Sequence, residues 1–354
     1  MSSLVDQREV EKLLVLAAAI SSGIVDAVAG DDPRTPSEVA GVVGGSERAC
    51  RVLLDALVAV GVADHVADHI AGAYRLNETG RARLIDPPPG EPVPPELERS
   101  SLLHQVSKFE GWLRLPEIVK GAAGGMGPRG PARLRSFVRT MGEGDPAVPA
   151  EVVSACLDYA TATGGAPGPA EEPPGPPGEA PGPAEQAPGP ADMIDVGGAV
   201  GHMARLFADR GLRATLFDRP DVLPEAREFL GKGADDIEMA AGDFTESLPA
   251  GPFDLAYLGN VFHIYGPATL QTLTRRVFEV LRPGGVIGVR DFVWERSPRA
   301  AMFAINMLQA TAEGGVWREE EYRGWLTGAG FVDVRVVDLT LSTSQLILGR
   351  RPRA

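Results

Sequence analysis

The sequence is short of cysteine, of long apolar runs and of positive charge, and each shortage excludes something. Its two cysteines, Cys50 and Cys156, lie far apart in helix-like segments and without metal-type spacing. This argues against a disulfide framework or a metal site, suits a reducing compartment, and leaves both thiols as small core residues. No run approaches the roughly 20 apolar residues that a membrane span requires. The apolar run from Leu13 to Ile20 is preceded by acidic residues rather than by the basic segment of a secretory leader. A cytoplasmic protein without a membrane partner is the expectation. Only 34 Lys and Arg stand against 48 Asp and Glu, for a formal net charge of -14. Phosphate backbones and anionic lipid surfaces would be repelled, because affinity for both rests on clustered basic residues.

What the chain has in excess is glycine and proline, 43 and 31 residues; its apolar and charged fractions, 44% and 23%, are ordinary for a globular protein. A length of 354 residues calls for two domains, at roughly 100 to 200 residues each. From Val10 to Val28 and from Ser46 to Val60 apolar residues recur at helical spacing, and "TPSEVAGVVGG" between them carries a capping pattern, Thr35 or Ser37 followed by Glu38. "GVADHVADHIAGAYRLNETGRARL" then alternates and turns as a short hairpin does. Helices followed by a hairpin describe a winged helix, expected over residues 1–98. Its second helix offers Arg48 and Arg51 against Glu47 and Asp55, which argues against DNA binding.

Residues 99–162 continue as amphipathic helix broken at Gly and Pro and are expected to bridge the two domains. The segment "GAPGPAEEPPGPPGEAPGPAEQAPGPA", Gly165 to Ala191, has 10 Pro and 6 Gly among 27 residues and repeats APGPA three times. Such a composition builds no core, so 163–191 reads as an extended, partly polyproline-like insert. Beyond it, "MIDVGG", "HMARLFADRG", "RATLFD", "LPEAREFLG", "DIEMAAGDF", "FDLAYLG", "ATLQTLTRRVFEVLRPGG" and "VIGVRDFV" alternate strand and helix. That order predicts an α/β, doubly wound, Rossmann-like domain over 192–354, closed by an antiparallel pair, "DVRVVDL" and "STSQLILGR".

Three strand ends carry candidate chemistry. In "DVGGAVGHMARLF", Gly197, Gly198 and Gly201 follow a strand and open a helix, where a bare backbone lets a ligand approach closely. Such a turn serves NAD, FAD or S-adenosylmethionine, or merely joins strand to helix. Asp218 ends the next strand 17 residues on, placed to accept both hydroxyls of a ribose, or else to cap the helix that follows. "GDF" ends the third strand, with Asp243 suited to an adenine amino group and Phe244 to its ring face. Together they point to an adenosyl cofactor. His263, in "YLGNVFHIYGPATL", follows a further strand and is expected to face the same crevice as a general base, or else is a polar residue that caps the strand end.

"DVGG", "LFDRPDV", "GDF", "GNVFHIY", "VLRPGG", "RDFV" and "GWLTGAGF" occur in an order and spacing that resembles the S-adenosylmethionine-dependent O-methyltransferases of plant phenylpropanoid and bacterial natural-product pathways. "GIVDAV", "RVLLDALVAVGV" and "YRLNETGRARL" are similar to that family's dimerisation domain, so the resemblance covers nearly the whole chain apart from the insert. It implies a Rossmann-like methyltransferase domain preceded by an all-helical winged-helix dimerisation domain, a homodimer, the cofactor S-adenosyl-L-methionine, and a small phenolic, aromatic or polyketide acceptor of secondary metabolism. It also implies His263 as general base, Asp291 as its orienting acid, and cofactor roles for Asp195, Gly197, Gly198, Asp218, Asp243 and Phe244. Trp112, Met141, Asn306 and Met307 are the implied acceptor-lining residues, though each also reads as ordinary core. No metal is implied. The chain departs from the family at Ala199 and Val200, which replace a glycine and a hydroxyl residue. It departs again at Gly259, in place of a basic residue, at Ile264, in place of an acid, and at Val316 and Trp317 near the second acid. Ala199, Val200 and Ile264 motivate an alternative, a family member that binds the cofactor without methylating, as a hydroxylase, decarboxylase or auxiliary protein. A winged-helix regulator with a ligand domain is a further alternative.

Overall fold

The computed structural model describes residues 6–66, 72–88, 97–125, 146–162 and 191–353. Met141 and nearly all of the expected insert lie outside the described residues. The chain divides into two compact units, one of residues 1–122 with 126–145, the other of 123–125 with 146–354. The segment read as a bridge is thus shared between the units.

The first unit is built from helices α1 (Gln7–Ser21), α2 (Ile24–Ala27), α3 (Pro36–Val43) and α4 (Glu47–Ala59), a two-stranded antiparallel sheet, then α5 (Glu78–Leu84), α6 (Arg99–Trp112) and α7 (Leu115–Val119). The strands are β1 (Ala63–Val66) and β2 (Ala73–Leu76), with Ala63 opposite Leu76. Thr35, not Ser37, caps α3: its hydroxyl accepts from the Glu38 N–H at 3.3 Å, and the Glu38 carboxylate accepts from the Thr35 N–H at 2.8 Å. One correction concerns "NETGRARL", which is a helix and not part of the hairpin. Asn77 accepts from the Gly80 N–H at 2.9 Å, and this local cap ends the strand and starts α5. The core of the unit gathers Leu16, Ile20, Val25, Val39, Leu54, Leu57, Tyr74 and Leu76.

The second unit opens with α8 (Ala147–Thr161), whose buried residues Val152, Val153, Cys156 and Tyr159 recur at helical spacing along one face. Its carboxyl end is held by Arg350, whose guanidinium donates to the carbonyls of Tyr159, Ala160 and Ala162 and stacks on the Tyr159 ring at 4.9 Å. A cation there satisfies carbonyls that lack helical partners.

Then follow β3 (Asp192–Val196), α9 (His202–Ala208), β4 (Arg213–Asp218), α10 (Leu223–Leu230), β5 (Ile237–Ala241), β6 (Phe253–Gly259), α11 (Pro267–Val280) and β7 (Leu281–Asp291). The chain ends with α12 (Ala300–Ala310), α13 (Glu319–Ala329), β8 (Val332–Asp338) and β9 (Gln345–Arg350). The seven strands lie in the order β5-β4-β3-β6-β7-β9-β8; the first five are parallel, and β9 runs antiparallel to both β7 and β8.

Because strand residues alternate sides, the sheet has two buried faces. Ile194, Ala256, Leu258, Ile287 and Val289 pack with α11 and α13 on one. Met193, Leu255, Tyr257 and Val286 pack with α8 and α9 on the other. No helix among the described residues is long and apolar enough to cross a membrane.

Candidate active site

The parallel strands all end at one edge, and the outward crevice there is where ligands of open α/β sheets bind. At this edge the chain leaves β3 through the turn Gly197–Gly201. Gly197, Ala199 and Gly201 all have positive φ, 71°, 51° and 75°. A Cβ on Gly198 would lie 2.4 Å from Asp195 Oδ2 and 2.5 Å from Leu216 Cδ1. Glycine is required at 198 to let the turn close over the buried Asp195, independently of any ligand.

Asp195 and Asp218 brace this turn from below. Asp195 is 1% exposed; its Oδ2 accepts from the Ala204 N–H at 3.1 Å, while its Oδ1 has no partner. Burial, supplemented by the charge of Asp218, pushes its carboxyl up to about 7 against the opposing Ala204 hydrogen bond. Asp218, the last residue of β4, accepts from the Ala199 N–H at 2.9 Å and from the Arg219 N–H at 2.7 Å. It therefore does not cap α10, which begins after Val222. Burial raises its pKa, and the two backbone donors oppose that rise. Each of its oxygens keeps a second lone-pair direction for a hydroxyl donor.

Past β5, Asp243 is exposed and its Oδ1 accepts from the backbone and hydroxyl of Thr245 at 2.8 and 2.6 Å. Phe244 is buried and packs edge-on against Tyr265 at 5.6 Å. A Cβ on Gly197 would meet Phe244 Cε1 at 3.2 Å. The aromatic ring thus lies beside the glycine turn, as a platform for a flat base requires.

His263 sits four residues beyond β6, in a 3-10 turn, Phe262–Ile264. Asp291, the last residue of β7, is fully buried and receives three donors: the His263 N–H at 3.0 Å, His263 Nδ1 at 2.8 Å and the Phe292 N–H at 2.8 Å. The carboxylate acceptor at Nδ1 fixes the ring hydrogen there. Nε2 is left as the basic nitrogen.

Around this pair the structure brings in residues the sequence reading missed. The Phe303 ring meets the His263 ring edge-on at 4.8 Å and packs on Phe292 at 4.6 Å. The Gly315 N–H donates to the His263 carbonyl at 3.0 Å, and the Trp317 indole donates to the Phe262 carbonyl at 3.1 Å. A Cβ on Gly314 would lie 2.3 Å from the His263 carbonyl oxygen, so "GG" in "EGGVW" is a signal for a close backbone approach. Trp317 and Gly315 buttress the histidine turn where a second acid was sought.

Asn306 and Met307 lie on α12 one helical turn from Phe303, and Asn306 Oδ1 accepts from Gln309 at 3.0 Å. Trp112 belongs to the first unit, where it packs edge-on against Phe109 at 6.4 Å. Met141 is outside the described residues. Asp195, Gly197, Gly198, Asp218, Asp243, Phe244, His263 and Asp291 thus share one strand edge of the second unit. Among the described residues no group of three or more His, Cys, Asp or Glu could hold a metal ion.

The chain matches two family models: an O-methyltransferase dimerisation domain over residues 12–86 and an O-methyltransferase domain over residues 188–332. It is 34% identical over 169 residues to a tetracenomycin polyketide synthesis 8-O-methyl transferase of Streptomyces glaucescens, covering 45% of this chain and 49% of the relative. It is 34% identical over 154 residues to acetylserotonin O-methyltransferase of Mus musculus, covering 40% and 39%. The matches thus span half or less of the length of these curated relatives.

Similarity of fold extends much further. The structure of human N-acetylserotonin methyltransferase in complex with SAM superposes with a TM-score of 0.71 at 22% identity, over 99% of this chain and 100% of that one. A mitomycin 7-O-methyltransferase does so with a TM-score of 0.69 at 23% identity, over 97% and 95%. With the glycine turn, the acidic strand ends and both family models in place, the chain belongs to the O-methyltransferase family with an N-terminal dimerisation domain.

Proposed function

We propose that this protein is an S-adenosylmethionine-dependent O-methyltransferase acting on a flat, uncharged phenolic or enolic acceptor of the aromatic or polyketide type. The observation that carries the reading is the pairing of His263 with the buried Asp291 at the same strand edge as the Gly197–Gly201 turn and Asp218.

The residues at the turn suit the cofactor. Asp195 Oδ1 is a buried acceptor without a donor, Asp218 has room for ribose hydroxyls, and Phe244 offers a ring face beside a glycine. Asp195, Gly197, Gly198, Asp218, Asp243 and Phe244 would hold it. Bound S-adenosylmethionine supplies a methyl group on a sulfonium, an electrophile that needs in-line alignment and no metal.

The protein's share of the reaction is to place the acceptor oxygen and to remove its proton. His263 Nε2, with Nδ1 tied to Asp291, takes that proton as the oxygen is alkylated, and the imidazolium that forms is stabilised by the carboxylate behind it. Positioning and one base suffice for such a displacement. Phe303 borders the histidine with apolar surface and is itself backed by Phe292, and Ile264, 36% exposed, puts an alkyl group where the family has an acid. That lining favours a neutral aromatic ring over a charged acceptor. The dimerisation-domain match supports a homodimer.

Incubation of the protein with isotopically labelled S-adenosylmethionine and a library of phenols and polyketide quinones, read by mass spectrometry, tests the proposal. Transfer of label to an acceptor oxygen is expected. Tight cofactor binding with no transfer across the library would favour the alternative of a cofactor-binding auxiliary protein.

A further inference from the structure

On the sheet face opposite His263, the same strand edge carries a row of polar groups with no assigned role. Strand alternation puts Arg290 on the side away from Asp291, the side of α8 and α9, where a Cβ on Gly288 would meet Cys156 Sγ at 2.9 Å. Arg290 pairs in register with Gly259 of β6, and a Cβ on Gly259 would lie 2.7 Å from the Tyr257 hydroxyl. Tyr257 in turn pairs with Asp195 of β3. The bare glycine leaves room for the tyrosine hydroxyl and for the arginine from the next strand, whose side chain reaches that hydroxyl.

Arg290 is only partly exposed, and its Nε donates to Ser344 Oγ at 3.0 Å. Among the described residues it forms no ion pair. Glu151, the acid whose charge it senses, is engaged by the Thr340 and Leu341 amides at 2.7 and 3.1 Å and by the Thr340 hydroxyl at 2.7 Å. That leaves a partly exposed guanidinium with donors free for an anion.

His202, the residue after Gly201, lies within the electrostatic reach of Arg290, and its Nδ1 is buried with no hydrogen-bond partner. Two buried polar atoms therefore go unsatisfied on either side of the glycine turn: an acid oxygen at Asp195 and a ring nitrogen at His202 backed by Arg290. A zwitterion fits that pattern, with its cation toward Asp195 and its anion toward His202 and Arg290.

We propose that Arg290 and His202 recognise the α-carboxylate of the cofactor's amino-acid tail, opposite Asp195 Oδ1, which takes the α-ammonium. This rests on the cofactor reading above, and it predicts a selectivity that reading does not require: the carboxylate, not only the adenosine, determines affinity.

Calorimetry with S-adenosylhomocysteine, its decarboxylated analogue and 5′-methylthioadenosine tests it on the full-length protein. The intact protein should prefer S-adenosylhomocysteine to the decarboxylated analogue by about tenfold or more, the scale of a charge-assisted hydrogen bond. In Arg290→Met the preference should shrink to within about threefold, with 5′-methylthioadenosine affinity unchanged and a cooperative melt retained. Equal affinity of the intact protein for the first two ligands overturns the proposal without touching the cofactor reading. So does an Arg290→Met variant that weakens all three equally. Should that variant not fold, His202→Ala is read in the same way. No binding of any adenosyl ligand by the intact protein would overturn the cofactor reading itself.

Discussion

His263 Nδ1 lies 2.8 Å from Asp291 Oδ1 while the backbone N–H of the same histidine donates to Asp291 Oδ2 at 3.0 Å. One buried carboxylate thus fixes both the ring and the main chain of a residue 28 positions earlier. His263→Ala should lower methyl transfer to a confirmed acceptor by at least about a hundredfold while leaving S-adenosylhomocysteine affinity within about twofold, the pattern of a lost general base. Asp291→Asn should slow turnover too, because its amide must turn an N–H toward one of three donors and disturb the Nδ1 tautomer. Near-normal turnover in His263→Ala, measured by label transfer, would return the histidine to a structural role.

Asp218 holds the Ala199 N–H, and the proposed function gives its carboxylate the ribose hydroxyls as well. Asp218→Ala should weaken S-adenosylhomocysteine binding by about 1–3 kcal/mol, the cost of a lost charged acceptor, with a smaller loss in Asp218→Asn, which keeps one oxygen. Isothermal calorimetry checks this. An affinity unchanged in the alanine variant would mean that the ribose is bound elsewhere.

Ala199 occupies a left-handed conformation, φ 51°, in which a Cβ costs about 1–2 kcal/mol. Glycine relieves that strain and adds roughly 0.4–1 kcal/mol of unfolded-state entropy. Ala199→Gly should therefore stabilise the protein by about 0.5–1 kcal/mol and raise the melting temperature by a few degrees. A lowered melting temperature would show that the methyl group makes compensating contacts in solution.

The raised pKa of Asp195, about 7, gives a pH dependence with a definite sign. The folded protein binds a proton there that the unfolded chain, with a pKa near 3.9, releases. The resulting stability is fully present below about pH 4 and is lost as pH rises toward 7. The groups that act on it are the Asp218 charge, which favours the proton, and the Ala204 N–H, which opposes it; Tyr257, on the neighbouring strand, senses the Asp195 charge. A cofactor ammonium demands the ionised acid, so S-adenosylhomocysteine should bind more tightly from pH 6 to pH 8, by up to about tenfold per unit below the pKa. Asp195→Asn should flatten both profiles. Calorimetry and thermal melting at several pH values provide the check, and a pH-independent affinity in the intact protein would sink the assignment.

Much of the second unit could be read from the chain alone, because its signals are local. Alternating apolar strands and amphipathic helices, the glycines after "DV", and acids at strand ends are consequences of backbone periodicity and turn chemistry, and they put Gly197, Asp218 and Phe244 at one edge, whereas Asp195 was implied only by the family resemblance. The same local rules set the Thr35 cap. What the tertiary structure alone decided was which distant residues meet. Phe303 reaches His263 from α12, Gly315 and Trp317 buttress its turn, and Arg290 shares a sheet face with Tyr257 because β6 and β7 pair in one register. Such contacts join residues tens of positions apart, and no periodicity encodes them. The left-handed Ala199 belongs with them, since an alanine's own preference is overridden there by the Asp218 carboxylate that holds its N–H. Local chemistry writes the elements, and packing entropy and close approach between them choose the partners.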